Sequence, residues 1–367
     1  MKRIAIVGAG RIGSMAACLL ANAHYAVMLV DHKKNPTVDQ LLKHFSNIQF
    51  QHVDVDDQKS LLQAIKSNET ELILAAVPFD VGVKVAECAK EISSHYVDFT
   101  EDVFATESVA SLVENTKSAF MPQCGFAPGL IDIYAHELAG EFEDIESIRI
   151  RAGALPEHVD NPLHYAITWS IEGCINQYIN PCPAILKGEK KMLNALSDLE
   201  LVTIAGKKFE AFNTSGGIGG LVKEMIGRVN NINYKTLRYP GHCEKMRFLI
   251  KDLKLNEDPE TLKKILLNVL PETQQDFVVI FVAATGRNAG PESPLEEKTI
   301  VRHFKPEEIS GMNWSAIQIV TAAEACAAIE LLFKGNYHGL IPNTQFTLEE
   351  IMNTEFGVYL RGEEGAA

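Results

Sequence analysis

The stretch IAIVGAGRIG, residues 4–13, joins a short apolar run to a glycine-rich turn. The run Ile4–Val7 predicts a buried strand, and a helical pattern follows the turn. Gly8, Gly10 and Gly13 form G-x-G-x-x-G between that strand and that helix, which is the setting the dinucleotide-binding fingerprint requires. The stretch therefore predicts the first strand, turn and helix of a nucleotide-binding sheet.

Each position of the turn has an expected contact with the cofactor. Gly8 permits the tight turn, Gly10 lets a pyrophosphate approach the backbone, and Gly13 lets the helix pack close to the strand. The backbone N–H groups of Arg11 and Ile12 begin the helix and are expected to point at the phosphates. All five residues are therefore predicted cofactor contacts.

Asp31 follows the next predicted strand, Ala26–Val30. A carboxylate in this position accepts hydrogen bonds from the adenosine ribose hydroxyls. It also repels a 2′-phosphate, so NAD is the expected cofactor. The run His32–Lys34 attracts such a phosphate, and NADP therefore stays possible.

Strands and helices alternate over residues 1 to about 125, which predicts a doubly wound parallel sheet. Ligands of such sheets bind beyond the carboxyl ends of the strands. Val77 and Pro78 are therefore candidate ribose contacts, and Asp98 and Cys124 are candidate site residues. The structural alternatives are a helix cap or turn at Asp98 and a small core residue at Cys124.

A different pattern begins near Glu146. Alternating strands up to about residue 306 predict an antiparallel or mixed sheet with helices on one side. Ser315 precedes a strongly apolar helix that we expect to return to the first sheet. The expected fold is α/β, with a Rossmann doubly wound parallel sheet over residues 1–128 and 308–367 and an inserted α+β domain over 129–307.

Polar clusters interrupt the apolar pattern of the second domain. Glu172 falls in the first turn of a helix that begins near Ser170, where it either serves a site or complements the helix dipole. Thr214 and Ser215 precede a glycine pair at an expected loop-to-helix junction. Such a junction either grips a carboxylate through backbone N–H groups or is a plain turn.

Arg238 and His242 form the third cluster. A helix is expected to begin at Gly241–His242. A guanidinium offers a bidentate grip on a carboxylate, and a structural ion pair is the alternative. His242 is expected to titrate near neutral pH and to move a proton.

Composition excludes several classes of protein. The chain has 367 residues, 46% of them hydrophobic, and a net charge of -14 that argues against a nucleic-acid partner. No apolar run approaches the roughly 18 residues of a membrane span, and no signal-peptide layout is visible. The seven cysteines are scattered without a C-x-x-C pair, which argues against a disulfide framework or a metal site and fits a reducing cytoplasm.

Several motifs together resemble the saccharopine dehydrogenase superfamily, in matching order over nearly the whole chain. The similarity is greatest to its lysine 6-dehydrogenase and saccharopine reductase branches. The motifs that carry it are GAGRIG at 8–13, CGFAPGL at 124–130, SIEG at 170–173, TSGG at 214–217, YKTLRY at 234–239 and GH at 241–242.

The resemblance implies an NAD(P)-dependent hydride transfer at a C–N bond of lysine or a lysine-derived amino acid. By position, Asp98 and the loop from Cys124 through Gly129, which includes Pro128, would face the nicotinamide. Thr214, Ser215, Arg238 and His242 would line the amino-acid pocket. The family's inserted domain binds substrate and helps to dimerise, which implies a homodimer or a higher homo-oligomer.

These expectations assign acid/base roles to Asp98 and His242 and a carboxylate clamp to Arg238. Pro240 stands where a basic residue is expected in the lysine branch, which weakens the case for lysine itself. One alternative is a condensing reductase similar to carboxyspermidine or homospermidine synthase, which Glu172 in the pocket would favour. Another is a non-catalytic NAD-binding regulatory protein.

Overall fold

The computed structural model describes residues 1–114, 116–290 and 292–365. Contacts divide the chain into two compact units. The first contains Met1–Gly129, Glu308–Met312 and Gln318–Leu360, and the second contains Leu130–Glu307, Asn313–Ile317 and the residues from Arg361 onward. The predicted domain boundaries at 128/129 and 307/308 stay a prediction. The last two residues of the predicted first domain, 366 and 367, lie outside the described residues.

The N-terminal part of the chain alternates strands and helices. Its elements are β1 (Arg3–Val7), α1 (Arg11–Asn22), β2 (Ala26–Asp31), α2 (Pro36–His44), β3 (Ile48–His52), α3 (Gln58–Ser67), β4 (Leu72–Ala75), α4 (Phe79–Ile92), β5 (His95–Asp98), α5 (Val103–Leu112) and β6 (Ala119–Met121).

The middle of the chain is richer in strands. Its elements are a non-helical turn (Phe126–Leu130), α6 (Ile131–Gly140), β7 (Asp144–Pro156), α7 (Ile171–Ile179), β8 (Cys182–Leu186), β9 (Glu189–Leu193), β10 (Glu200–Ile204), β11 (Lys207–Asn213), α8 (Leu221–Met225), β12 (Val229–Arg238), α9 (His242–Arg247), a π-helical turn (Phe248–Asp252), α10 (Pro259–Val269), β13 (Asp276–Arg287) and β14 (Glu296–Phe304).

The C-terminal part is again helical. Its elements are β15 (Glu307–Ile309), β16 (Met312–Trp314), α11 (Ala316–Lys334), β17 (Gly339–Leu340), α12 (Leu348–Met352), a 3₁₀ turn (Gly357–Leu360) and β18 (Glu363–Glu364).

The first unit contains a seven-stranded parallel sheet in the order β17-β6-β5-β4-β1-β2-β3. Sequential strands run outward from β1 in both directions, so the order reverses beside the glycine turn, as in a Rossmann fold. Near-continuous apolar strands such as β4 fit a sheet covered on both faces. The predicted doubly wound sheet is therefore confirmed.

The second unit contains a mixed nine-stranded sheet. Its main path is β10-β11-β12-β7-β13-β14-β18, and β8 joins β12 to β9. The β12–β7 pair is parallel, whereas β11–β12 and β7–β13 are antiparallel. Because β18 pairs with β14, residues 361–365 belong to this unit rather than to the first.

The helix α11 returns to the first unit, as predicted. The side-chain amide of Gln318 donates to the Arg11 carbonyl at 3.2 Å, and the Cys326 thiol lies 3.9 Å from the Ala16 carbonyl of α1. By length and composition alone α11 could cross a membrane, contrary to the sequence expectation. However, 83% of its most apolar window is buried inside the protein, which is the pattern of a core helix.

Candidate functional site

The glycine turn in the first unit leaves space where a cofactor is expected. A Cβ on Gly8 would lie 2.2 Å from the Ala76 carbonyl oxygen, and a Cβ on Gly13 would lie 1.9 Å from the Gly8 carbonyl oxygen. Packing within the protein therefore requires both glycines. A Cβ on Gly10 would meet no heavy atom within 4 Å. This open position beside a helix N-terminus fits a pyrophosphate.

The other predicted cofactor contacts, to the phosphates and to the ribose, lie on segments next to this turn or close to it in sequence. Arg11 and Ile12 are the first residues of α1, where the backbone N–H groups have no carbonyl partner within the helix. The Val77 side chain lies 3.1 Å from the position of a Gly8 Cβ, so the loop after β4 adjoins the turn. Pro78 follows as the N-cap of α4.

Asp31 ends β2 with its carboxylate directed at the glycine turn. One oxygen, Oδ2, accepts from the Ala9 N–H at 2.7 Å, and Oδ1 accepts from the Lys33 N–H at 3.0 Å. The side chain is 18% exposed, so part of it remains accessible. This placement fits a carboxylate that meets the adenosine ribose.

Asp98 is 3% exposed and is bonded entirely to the first unit. Its Oδ2 accepts from the Tyr96 hydroxyl at 2.8 Å, and its Oδ1 accepts from the N–H groups of Thr100 and Gln123 at 3.0 and 2.9 Å. Burial raises the pKa of the carboxyl, and the two N–H donors oppose that rise. The arrangement joins the loops after β5 and β6, so the geometry favours the structural alternative for Asp98.

The loop after β6 is also held from within the first unit. The Cys124 N–H donates to the Asp98 carbonyl at 2.9 Å, and burial raises the pKa of the Cys124 thiol well above its usual range. The fully buried Glu324 of α11 accepts from the Gly125 N–H. Pro128 is buried in the non-helical turn that follows. These contacts fix the loop but leave Cys124 a neutral thiol.

Arg238 ends β12 in the second unit and is 2% exposed. Its Nε donates to the Tyr178 hydroxyl at 3.0 Å, and Nη1 donates to the Thr236 hydroxyl and the Leu237 carbonyl at 2.7 and 2.8 Å. The guanidinium carbon lies 4.8 Å from the centre of the Tyr165 ring. Within the described residues, no carboxylate pairs with this guanidinium and no acceptor meets Nη2.

A buried guanidinium without an anion is costly unless a ligand supplies one. Nη2 of Arg238 is thus a donor that no acceptor among the described residues meets. The predicted structural ion pair is wrong within the described part of the chain, because all of this residue's protein partners are neutral.

His242 begins α9 and completes this network. Its Nδ1 lies 2.7 Å from the Leu163 carbonyl, which can only accept, so Nδ1 carries the proton. Nε2 then accepts from the Tyr178 hydroxyl at 2.9 Å. Burial, and after it the charge of Arg238, lowers the pKa of His242 to about 3. The expectation that His242 titrates near neutral pH is therefore wrong in this environment.

Tyr178 connects the other two side chains and was not predicted as a site residue. Burial raises the pKa of its phenol, so the hydroxyl stays protonated and donates to His242 while accepting from Arg238. The sequence signal was a tyrosine at a buried position of an amphipathic helix, where its hydroxyl needs a partner.

The segment containing Thr214 and Ser215 does not lead directly into a helix, contrary to prediction. The next helix begins at Leu221 and has five residues. Ser215 is bonded to the end of α7, with its N–H on the Gln177 carbonyl at 3.0 Å and its hydroxyl on the Asn176 carbonyl at 3.2 Å. The Ser215 N–H is thus not available for a carboxylate, whereas the buried Thr214 hydroxyl has no partner among the described residues.

Glu172 lies in the first turn of α7, as predicted, with the Ser170 side chain capping the helix. Its carboxylate is 49% exposed and pairs with Lys263 at 2.7 Å. The Ser170 hydroxyl also donates to it at 3.1 Å. This surface ion pair near the helix dipole favours the structural alternative for Glu172 over a pocket role.

The second unit thus brings Arg238, His242 and Tyr178 together, and Ser215 contacts the residues that precede Tyr178. Among the described residues, no group of His, Cys, Asp and Glu is arranged to hold a metal ion. The two units define a protein with a Rossmann-type dinucleotide-binding domain and a mixed-sheet domain that contains a buried cationic centre.

The chain belongs to the saccharopine dehydrogenase family. Residues 4–121 match the model of the saccharopine dehydrogenase NADP binding domain, and residues 125–360 match that of the saccharopine dehydrogenase C-terminal domain. These matches confirm the resemblance seen in the motifs.

Relatives in the curated proteins are distant. Mitochondrial alpha-aminoadipic semialdehyde synthase of Rattus norvegicus is 23% identical over 261 residues, which is 68% of this chain but only 28% of that protein. A saccharopine dehydrogenase [NADP(+), L-glutamate-forming] of Pyricularia oryzae is 24% identical over 291 residues, covering 72% of this chain and 60% of that protein. The chain thus spans well under two thirds of either relative.

Two solved structures share the fold over the whole chain. Saccharopine dehydrogenase (L-Glu forming) from Saccharomyces cerevisiae matches with a TM-score of 0.77 at 17% identity, covering 100% of both chains. Homospermidine synthase from Legionella pneumophila in complex with NAD matches with a TM-score of 0.68 at 12% identity, covering 100% of this chain and 91% of that one.

Proposed function

We propose that the chain is an NAD(P)-dependent oxidoreductase that transfers a hydride at a C–N bond of a lysine-derived amino acid. The observation that carries this proposal is Arg238, a buried cation whose Nη2 meets no acceptor in the described residues. It lies in the family's C-terminal domain, and an α-carboxylate is an anion of the right size for a guanidinium.

In this proposal, the cofactor supplies the hydride chemistry and the protein positions the reactants. The substrate carbon loses a hydride, its nitrogen loses a proton, and water then hydrolyses the imine. Arg238 holds the substrate carboxylate, and Tyr178 fixes the plane of the guanidinium. Asp98 joins the loops after β5 and β6, and His242 accepts from the Tyr178 hydroxyl. The acid/base roles predicted for these two residues are therefore not part of the proposal.

We propose NAD as the preferred cofactor, although the matching family model is described as NADP binding. Asp31 supports this choice, because its carboxylate adjoins the glycine turn where a 2′-phosphate would introduce a second negative charge. The relative from Pyricularia oryzae carries NADP(+) in its name, so the preference distinguishes this chain from that relative.

A condensing reductase of the homospermidine synthase type is less well supported. Its diamine substrate would need carboxylates in the pocket, and Glu172 was the candidate. Because Glu172 instead pairs with Lys263 at the surface, it does not support a diamine site.

We also propose a cytoplasmic homodimer or higher homo-oligomer. The family resemblance of the second domain supports the oligomer, and seven free, buried cysteines support a reducing compartment. Sedimentation of the purified chain tests the first point, and imaging of a tagged chain tests the second.

The catalytic proposal is tested by absorbance at 340 nm with a panel of amino acids and their lysine adducts, using NAD and NADP side by side. We expect amino-acid-dependent reduction of NAD that exceeds that of NADP. NADH binding without any such change across the panel would indicate the regulatory alternative instead.

A further inference from the structure

The backbone of Ala9, the middle residue of the G-x-G turn, is bonded to side chains on both sides of its Cα. Its N–H donates to Asp31 Oδ2 at 2.7 Å. Its carbonyl oxygen accepts from the side-chain amide of Asn35 at 2.7 Å and from the hydroxyl of Ser14 at 2.9 Å. One side chain therefore holds the Gly8–Ala9 peptide group, and two others hold the Ala9–Gly10 peptide group.

Asn35 has two bonds that determine its orientation. Its Oδ1 accepts from the Val38 N–H at 3.0 Å and caps α2, and its Nδ2 donates to Ala9. A flipped amide would place oxygen against the Ala9 carbonyl and nitrogen against the Val38 N–H, so only one orientation is compatible. Ser14 donates from α1 and is 1% exposed.

Rotation of the Ala9–Gly10 peptide group would weaken anion binding at this turn. A carbonyl oxygen carries partial negative charge, and a freed one would compete with or repel the phosphates that the adjoining N–H groups attract. Asn35 and Ser14 keep this charge bonded within the protein. The position at Gly10, the next residue, where a Cβ would meet no heavy atom within 4 Å, then belongs to a fixed turn.

We propose that Asn35 and Ser14 are positioning residues for the cofactor pyrophosphate, whereas the charge of Asp31 selects between NAD and NADP. The inference rests on the dinucleotide site of the proposed function. Since NAD and NADP share the pyrophosphate, loss of either positioning bond must weaken both cofactors by the same factor.

The test is fluorescence titration of the full chain with NADH and with NADPH, together with the Tm of the free protein. Asn35→Ser retains a side chain that caps α2 but is too short to reach Ala9, and Ser14→Ala removes only the second donor. We expect each variant to raise both dissociation constants by about 3- to 10-fold, the value of one hydrogen bond. The KM for cofactor should rise while kcat stays unchanged.

Asp57→Ala is the matched control, because it removes the cap of α3 that Asp57 provides to the Ser60 N–H. It should lower Tm without changing either dissociation constant. Asp31→Asn should instead change the ratio of NADH to NADPH affinity.

Wild-type dissociation constants in both Asn35→Ser and Ser14→Ala would overturn the positioning role, as would a change confined to one cofactor. A wild-type chain that binds neither NADH nor NADPH would overturn the dinucleotide site itself, and with it the proposed function.

Discussion

Asp98 in the first unit and Arg238 in the second are both charged, both buried, and both the last residue of a strand. The Asp98 carboxylate receives three donors from its own unit, one of them a tyrosine hydroxyl. The Arg238 guanidinium also contacts a tyrosine, but its Nη2 has no acceptor among the described residues.

The difference separates structural charge from functional charge. A buried ion whose bonding capacity is used by the protein stabilises the loops that it joins. A buried ion with an unused donor is costly to the folded state and is retained where a ligand completes it. Burial, strand-end position and three hydrogen bonds to the protein are shared by both residues, and the unused Nη2 donor of Arg238 distinguishes them.

The variant with the largest expected effect on this comparison of Asp98 and Arg238 is Arg238→Met, which removes the charge but keeps much of the side chain. We expect kcat/KM to fall about 1,000-fold or more, because charge-assisted bonds to the substrate are lost. Arg151→Met is the matched control. Arg151 is buried on the neighbouring strand but already pairs with Glu200, so its loss should lower the free energy of unfolding and spare kcat/KM. Equal kinetic losses in both variants would contradict the contrast.

The His242 beside Arg238 predicts an acid-dependent loss of stability. The folded chain protonates His242 only near pH 3, whereas the unfolded chain does so at its ordinary value of 6.5. Stability therefore falls as pH falls from 6.5 towards 3, by about 4 kcal/mol in total. Urea unfolding at a series of pH values should show this slope in the wild type and a shallower slope in His242→Gln. The same pH dependence of the unfolding free energy in the wild type and in His242→Gln would show that His242 is not held neutral.

The Asp98 network predicts a smaller effect, and on stability rather than on chemistry. In Asp98→Asn the amide oxygen can accept from Gln123 and Thr100. The amide nitrogen can donate to the Tyr96 hydroxyl oxygen. The hydroxyl can then donate its proton to the Gly82 carbonyl oxygen, which lies 3.2 Å from the hydroxyl oxygen. We expect kcat within about 3-fold of wild type for Asp98→Asn and a loss of about 2 kcal/mol in unfolding free energy for Asp98→Ala. A large loss of kcat in Asp98→Asn with Tm unchanged would restore the acid/base role.

The local parts of the fold were predictable from sequence. The strand–turn–helix at Ile4–Gly13 and the apolar β4 are determined by residues that are neighbours in the chain, so periodicity and glycine spacing were sufficient. The helix start at Gly241–His242 was predictable for the same reason.

The bonding within the candidate site was not predictable, because it joins residues that are distant in sequence. Tyr178 and Arg238 are 60 residues apart, and Glu324 reaches Gly125 across 199. A glutamate in the middle of the apolar α11, Glu324, was the sequence signal for the second contact, since a buried carboxylate needs donors. The low pKa of His242 likewise follows from the charge of Arg238 and from burial, neither of which a motif reveals.

The central claim, that Arg238 binds the substrate carboxylate, is tested most directly by comparing an amino-acid substrate with its carboxamide in wild type and in Arg238→Met. We predict that the wild type favours the acid over the amide by about 100-fold in kcat/KM and that the variant treats the two alike. An unchanged preference for the acid in the variant would show that the carboxylate binds elsewhere.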